Sequence, residues 1–170
     1  MRRRTVLGAA GGLVVLGGGG YLGWELFAPE RATRVDEERS MASATDGTRG
    51  VEVLKRGEFV GKAGHRCSGT VELARDDTGL FLQFRDYEQT PGPDVFCYLT
   101  PATDPDTTEA IEAGVKTLVD GGADGGEMTK TGTFTQSLSA GVDVDATNGV
   151  GIWCDRFATP FGAATLSPVG

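Results

Sequence analysis

Histidine is nearly missing from this chain of 170 residues, with His65 the single instance. A copper site built on paired histidines is therefore excluded. The sequence has no G-x-S-x-G elbow, no phosphate-cradling P-loop and no C-x-x-C pair. Hydrolase chemistry thus has no constellation to carry it. Lysine is scarce too: Lys55, Lys62, Lys116 and Lys130 are all there are, and the other basic residues are arginine. Residues 52–170 hold 9 basic against 18 acidic side chains, a formal charge of −9, whereas residues 1–51 hold 7 against 6. An acidic surface of that kind repels nucleic acid and anionic lipid. Acidic, lysine-poor and rich in threonine and glycine, the composition is that expected of a salt-adapted (halophilic) prokaryote.

The chain has one long stretch without charge, Thr5 to Trp24, and it follows Met1-Arg2-Arg3-Arg4. A basic start followed by an apolar run is the layout of an export signal or a membrane anchor. Arg3-Arg4-Thr5-Val6-Leu7 also fits a twin-arginine signal. Just past the apolar run the only small residue is Ala28, and Pro29 follows it directly; the better cleavage match, Ala42-Ser43-Ala44, lies far downstream. The expectation is an uncleaved transmembrane helix within residues 1–27, with the arginines inside and the domain outside the cell membrane. If the signal is cut, the product is secreted.

Residues 28–50 are polar and lack hydrophobic periodicity, and they read as a disordered linker. A single domain over residues 51–170 then follows, mainly β: a β-sandwich or barrel-like unit with one helical insertion. Short strands are predicted at Val51–Leu54, Gly57–Gly61, Cys67–Leu73, Leu80–Phe84 and Asp94–Leu99, separated by turn signals such as "ARDDTG" and "QTPGPD". The helix is predicted in "DPDTTEAIEAGVKTLVD", where Ile111, Val115 and Leu118 fall at helical spacing. Asp106 or Thr107 caps it, and "DGGADGG" ends it. Strands resume at "GTFTQSL", "VGIWCDRF" and "FGAATL".

Chemistry is left to Cys67, Cys97, Cys154 and His65. Three cysteines in an exported chain imply one disulfide and a leftover thiol, or no disulfide. Strand parity puts Cys67 and Cys97 on core-facing sides of neighbouring strand candidates, which permits a bridge without requiring one. Three cysteines and a histidine match a structural zinc set in number. Their spacing, H-x-C and then 30 and 57 residues onward, lacks the close pairs of zinc modules. Cys154 is either a small inert core residue or a reactive thiol, and the latter needs a cation nearby to lower its pKa. Arg156, two positions along the same strand, is the candidate for that cation. Burial beneath Trp153 and Phe157 is the competing arrangement.

Four blocks in order, "GEFVGKAGHRCSGTVEL", "LFLQFRDYEQTPGPDVFCYLT", "GTFTQSL" and "VGIWCDRFATPFGAATL", resemble the DM-thirteen domain, an electron-transfer-type domain found beside DOMON modules in Skeletor-like animal proteins. The most specific pieces are Gly57, Phe59, His65 and Gly69, then Gly92-Pro93-Asp94, then Ile152-Trp153-Cys154 followed by Phe157, Phe161-Gly162 and Ala164. The resemblance spans Gly57 to Leu166. It implies a β-sandwich-like extracytoplasmic domain with a redox role at Cys154, as a bare thiol or as ligand to a prosthetic group such as haem. Cys67 and Cys97 fall outside the family pattern, which favours a local disulfide between them. The alternative function is a non-enzymatic cell-surface binding or structural domain in which every cysteine is structural. A third reading is a subunit that docks on a membrane electron carrier.

Overall fold

Alternation of apolar and polar residues from Glu52 onward produces, in the computed structural model, long strands joined by glycine- and proline-rich turns. The structure describes residues 31–37 and 50–170. In chain order the strands are β1 (Thr33–Asp36), β2 (Glu52–Gly61), β3 (Cys67–Asp76), β4 (Gly79–Gln89), β5 (Val95–Thr100), β6 (Val115–Thr117), β7 (Lys130–Ser137), β8 (Gly149–Cys154), β9 (Thr159–Thr165) and β10 (Ser167–Pro168); α1 (Thr108–Glu112) lies between β5 and β6. They form one sheet in the order β1-β7-β4-β3-β2-β9-β8-β5-β6, with β10 against β2. All pairings are antiparallel except β1 on β7, which is parallel.

The sheet curls into a half-barrel because β2 serves two partners in turn. Its residues up to Glu58 pair with β3, and Phe59–Gly61 pair with β9. Bulges at Val53/Lys55, Ser68/Thr70 and Phe84/Tyr87 add local twist. Gly69 sits in one of them at φ 104°, and a side chain there would begin 2.7 Å from the carbonyls of Arg85 and Asp86. Only glycine fits that approach.

The concave side holds the main core. Val71, Leu73, Leu82, Phe84, Val95, Leu99, Val150 and Ile152, from alternate positions of their strands, are all buried in it. Aromatic rings fill its middle: Phe84 stacks on Phe134 at 4.6 Å between centroids, and Tyr87 meets Phe59 edge-on at 5.0 Å. On the outer side of β5 and β8 a smaller cluster joins Tyr98, Trp153 and Ile111 of α1. Gly151 leaves the space there, since a side chain on it would start 2.7 Å from Cδ1 of Ile111.

The mainly β class with one helix is as the sequence predicts. The helix itself is shorter than its spacing suggests. Thr107 caps it through its side chain, and it ends at Glu112. Val115–Thr117 instead pair with β5 as an edge strand, leaving Val115 and Leu118 largely exposed. Gly114 turns the chain where a side chain would strike Leu99 O at 2.6 Å, so the backbone passes from helix to strand there. The predicted strands at 51–54 and 57–61 are one continuous strand, because the bulge absorbs the break in alternation.

The linker reading also needs correction at one place. Residues 33–36 form β1, whose Val35 packs against the main core; four residues are too few to show a strand period in sequence. The apolar segment 1–27, its signal features and the rest of the linker lie outside the described residues. No helix among the described residues is long and apolar enough to cross a membrane.

Candidate functional site

Antiparallel pairing sends the end of β8 and the starts of β5 and β9 to the same end of the half-barrel. Cys154 is the last residue of β8, opposite Val95 on one side and Thr159 on the other. Val150, Ile152 and Cys154 share the inward face, whereas Trp153 belongs to the outer cluster. The thiol has no exposed surface. Its hydrogen is directed at the carbonyl oxygen of Pro93, 3.1 Å away.

The turn after β8, residues 155–158, folds over the sulfur. Burial pushes the Cys154 thiol up from its ordinary range, the backbone N–H groups of Phe157 and Arg156 that hydrogen-bond the sulfur pull against that, and the carboxylates of Asp94 and Asp155 push it further up. The balance keeps the group a neutral thiol at neutral pH. Ala158 closes the turn at φ 45°.

Arg156 does not serve the sulfur with its side chain. β8 ends before it, so the strand parity that would put it beside Cys154 no longer applies. Its guanidinium pairs with Asp94 at 2.5 Å, and Asp155 N–H donates to the Asp94 carbonyl at 2.9 Å. The turn is thereby tied to the Pro93–Asp94 corner from two directions. Phe157 is largely exposed. The cysteine is thus sealed by backbone and by the main core, and neither Trp153 nor Phe157 forms the lid.

Behind this turn, on the outer face, Tyr98 Oη donates to Asp155 Oδ1 at 2.7 Å and Lys116 Nζ pairs with Asp155 Oδ2 at 2.5 Å. Burial raises the Tyr98 hydroxyl above its ordinary value, and the Asp155 carboxylate adds to the effect. The ammonium of Lys116 also lies over the Phe96 ring, 3.8 Å from its centroid. The sequence reading missed Tyr98 and Lys116. They come from a strand and an edge strand far from Cys154 in sequence, and only the sheet order brings them together.

Cys67 and Cys97 are free thiols in the structure, as is Cys154. They are not on neighbouring strands: β2, β9 and β8 stand between β3 and β5 in the sheet, and the curl brings both side chains into one core. Cys67 lies over Gly162, where a side chain would begin 2.5 Å from its sulfur. Its Sγ is 3.9 Å from Tyr87 Oη, which donates in turn to Gln89. Burial raises both thiols to about 12. His65 stacks on Phe161 with centroids 3.7 Å apart. Among the described residues no group of three His, Cys, Asp or Glu side chains could hold a metal ion.

A porphyrin ligated by Cys154 does not fit this arrangement. The sulfur is fully covered and already engaged by Pro93, Arg156 and Phe157. The cleft beside the end of β8 is lined by Tyr98, Trp153 and Asp155, and Trp153 faces away from the thiol.

The model of the family described as Electron transfer DM13 matches residues 58–166, from the second half of β2 to the residue after β9. No curated protein and no solved structure matches the chain.

Proposed function

Because the chain belongs to the Electron transfer DM13 family, we propose that it is an electron-transfer domain whose redox group is the Cys154 thiol, held outside a membrane by an N-terminal anchor. The observation that supports the cysteine-centred reading is the convergence on one sulfur of the Arg156 and Phe157 N–H groups and the Pro93 carbonyl, at the tip of the sheet. Donors aimed at a sulfur stabilise electron density there, and an acceptor fixes the position of its proton. Loss of one electron to an oxidised membrane carrier leaves a thiyl radical at Cys154, and the thiol proton, directed at the Pro93 carbonyl, passes to water as the 155–158 turn opens. The 155–158 turn, tied through Asp94, sets the distance of approach.

A second reading has an observation in its favour. All three thiols are buried with raised pKa values, as in a surface domain whose cysteines only fill space. Titration of the exported full chain with a one-electron oxidant, followed by electron paramagnetic resonance, separates the two. The electron-transfer reading expects a sulfur-centred radical that Cys154→Ser abolishes and Cys97→Ser leaves in place. Identical behaviour of wild type and Cys154→Ser would establish the structural reading. Visible bands that change on reduction would instead point to a prosthetic group.

A further inference from the structure

The direction of β1 carries information about how the domain sits on its membrane. β1 runs parallel to β7, with Thr33 opposite Lys130 and Asp36 opposite Thr133. Hydrogen bonds from Thr33 N to Thr129 O and from Glu37 N to Thr133 O, both 2.7 Å, hold its two ends. Gly132 at φ 92° makes room for it, because a side chain there would begin 2.2 Å from Val35 O. β7 is antiparallel to β4, and the alternation around the sheet places the starts of β7, β5, β9 and β3 at one end with the finishes of β4 and β8. The start of β1 is therefore at the Cys154 end.

We infer that the Cys154 end of the half-barrel faces the lipid surface entered by the chain's own N-terminal segment. The inference rests on reading residues 1–27 as a membrane anchor. Only five residues, 28–32, separate an anchor of residues 1–27 from Thr33. Fully extended they span at most about 20 Å. The eight residues of β7, on which β1 lies, cover about 26 Å. The far end of β7 lies beyond the reach of the tether even if the tether is drawn taut along its side.

Surface chemistry agrees with that orientation. The connections leaving the opposite end, residues 37–51, 77–78, 101–114 and 138–148, carry ten acidic side chains against two basic ones. An anionic lipid surface repels them. The loops at the Cys154 end, residues 62–66, 90–94, 118–129 and 155–158, carry three basic against five acidic side chains. They also present Phe157, 55 % exposed, and Leu118, 52 % exposed, with Val60 close by near the end of β2. An aromatic ring standing out of a turn suits the headgroup region of a bilayer.

The test places the full-length chain in vesicles of phosphatidylcholine and phosphatidylglycerol bearing an energy-transfer acceptor on a headgroup. The three native cysteines are buried, so a donor dye can be attached at Phe157→Cys or, at the opposite end, at Asp77→Cys. Transfer is expected to be several-fold more efficient from position 157 than from 77, and Val35→Asp, which undocks β1 without altering β7, should erase the difference. Equal or reversed efficiencies in wild-type β1 background overturn the orientation while leaving the anchor intact. Protein that fails to float with the vesicles overturns both the anchor and the orientation. Unchanged asymmetry in Val35→Asp would show that β1 docking does not set it, and would overturn the argument from the tether.

Discussion

The Cys154 sulfur lies 3.1 Å from the carbonyl oxygen of Pro93, although the two residues are 61 positions apart in sequence. That contact joins the β4–β5 corner to the β8–β9 turn, and the Arg156–Asp94 ion pair closes the same junction from the solvent side. The thiol is consequently a covered group whose access depends on the turn.

Arg156→Ala is expected to loosen that cover. In the folded wild-type protein Cys154 should resist iodoacetamide at neutral pH, and in Arg156→Ala its alkylation should be faster by about fivefold, the equivalent of a weakened junction worth about 1 kcal/mol. Peptide mass mapping of Cys154 against time measures it. Equal rates would mean that the backbone bonds alone keep the turn shut.

All three cysteines are unpaired in the structure, so unfolding in denaturant without reductant should expose three thiols. Intact mass after alkylation should rise by three adducts. A single adduct would show that Cys67 and Cys97 are bridged in the protein as it leaves the cell, the arrangement that the family comparison of the sequence favours.

Alkaline pH should destabilise the domain. Cys67 and Cys97 ionise near 9.0 once unfolded and near 12 when folded. A raised folded value favours the neutral form, so the stability it represents is complete below pH 9 and is lost as pH climbs toward 12. Urea midpoints should fall across that window, and Cys97→Ala should flatten the slope in part. Tyr87, pushed upward by burial, acts in the same direction. A midpoint that stays level from pH 9 to 11 would refute the burial of these thiols.

Glu72 is buried on the outer face of β3 and accepts from Arg56 and from Arg85 on the strands to either side, at 2.5 and 3.1 Å. Glu72→Gln removes the charge but keeps the shape. The expected loss is about 1.5–3 kcal/mol of unfolding free energy, read from a shifted urea midpoint with unchanged m-value. A change below about 0.5 kcal/mol would place the pair among surface ion pairs of little weight.

Much of the fold could be read along the chain. The inward sets Cys67-Val71-Leu73, Leu82-Phe84 and Val95-Cys97-Leu99 follow strict strand parity, and the structure buries each of them. Parity failed where a strand ended or began unannounced. Arg156 continues the apolar register of β8 on paper, but the backbone has already turned. Val115 and Leu118 keep a helical spacing that Gly114 interrupts. β1 is four residues of mixed polarity, and its partner strand begins nearly a hundred positions later.

The sequence by itself determined the strand content, the single histidine, the acidic domain and the family to which residues 58–166 belong. These follow from composition, local alternation and order of motifs, all properties of near neighbours in the chain. Only the tertiary structure decided the setting of Cys154. Its neutral state, its bond to Pro93, the diversion of Arg156 to Asp94 and the place of β1 all depend on which strand ends meet. Strand order in a curled sheet is fixed by long-range packing and hydrogen bonding, and no local periodicity encodes it.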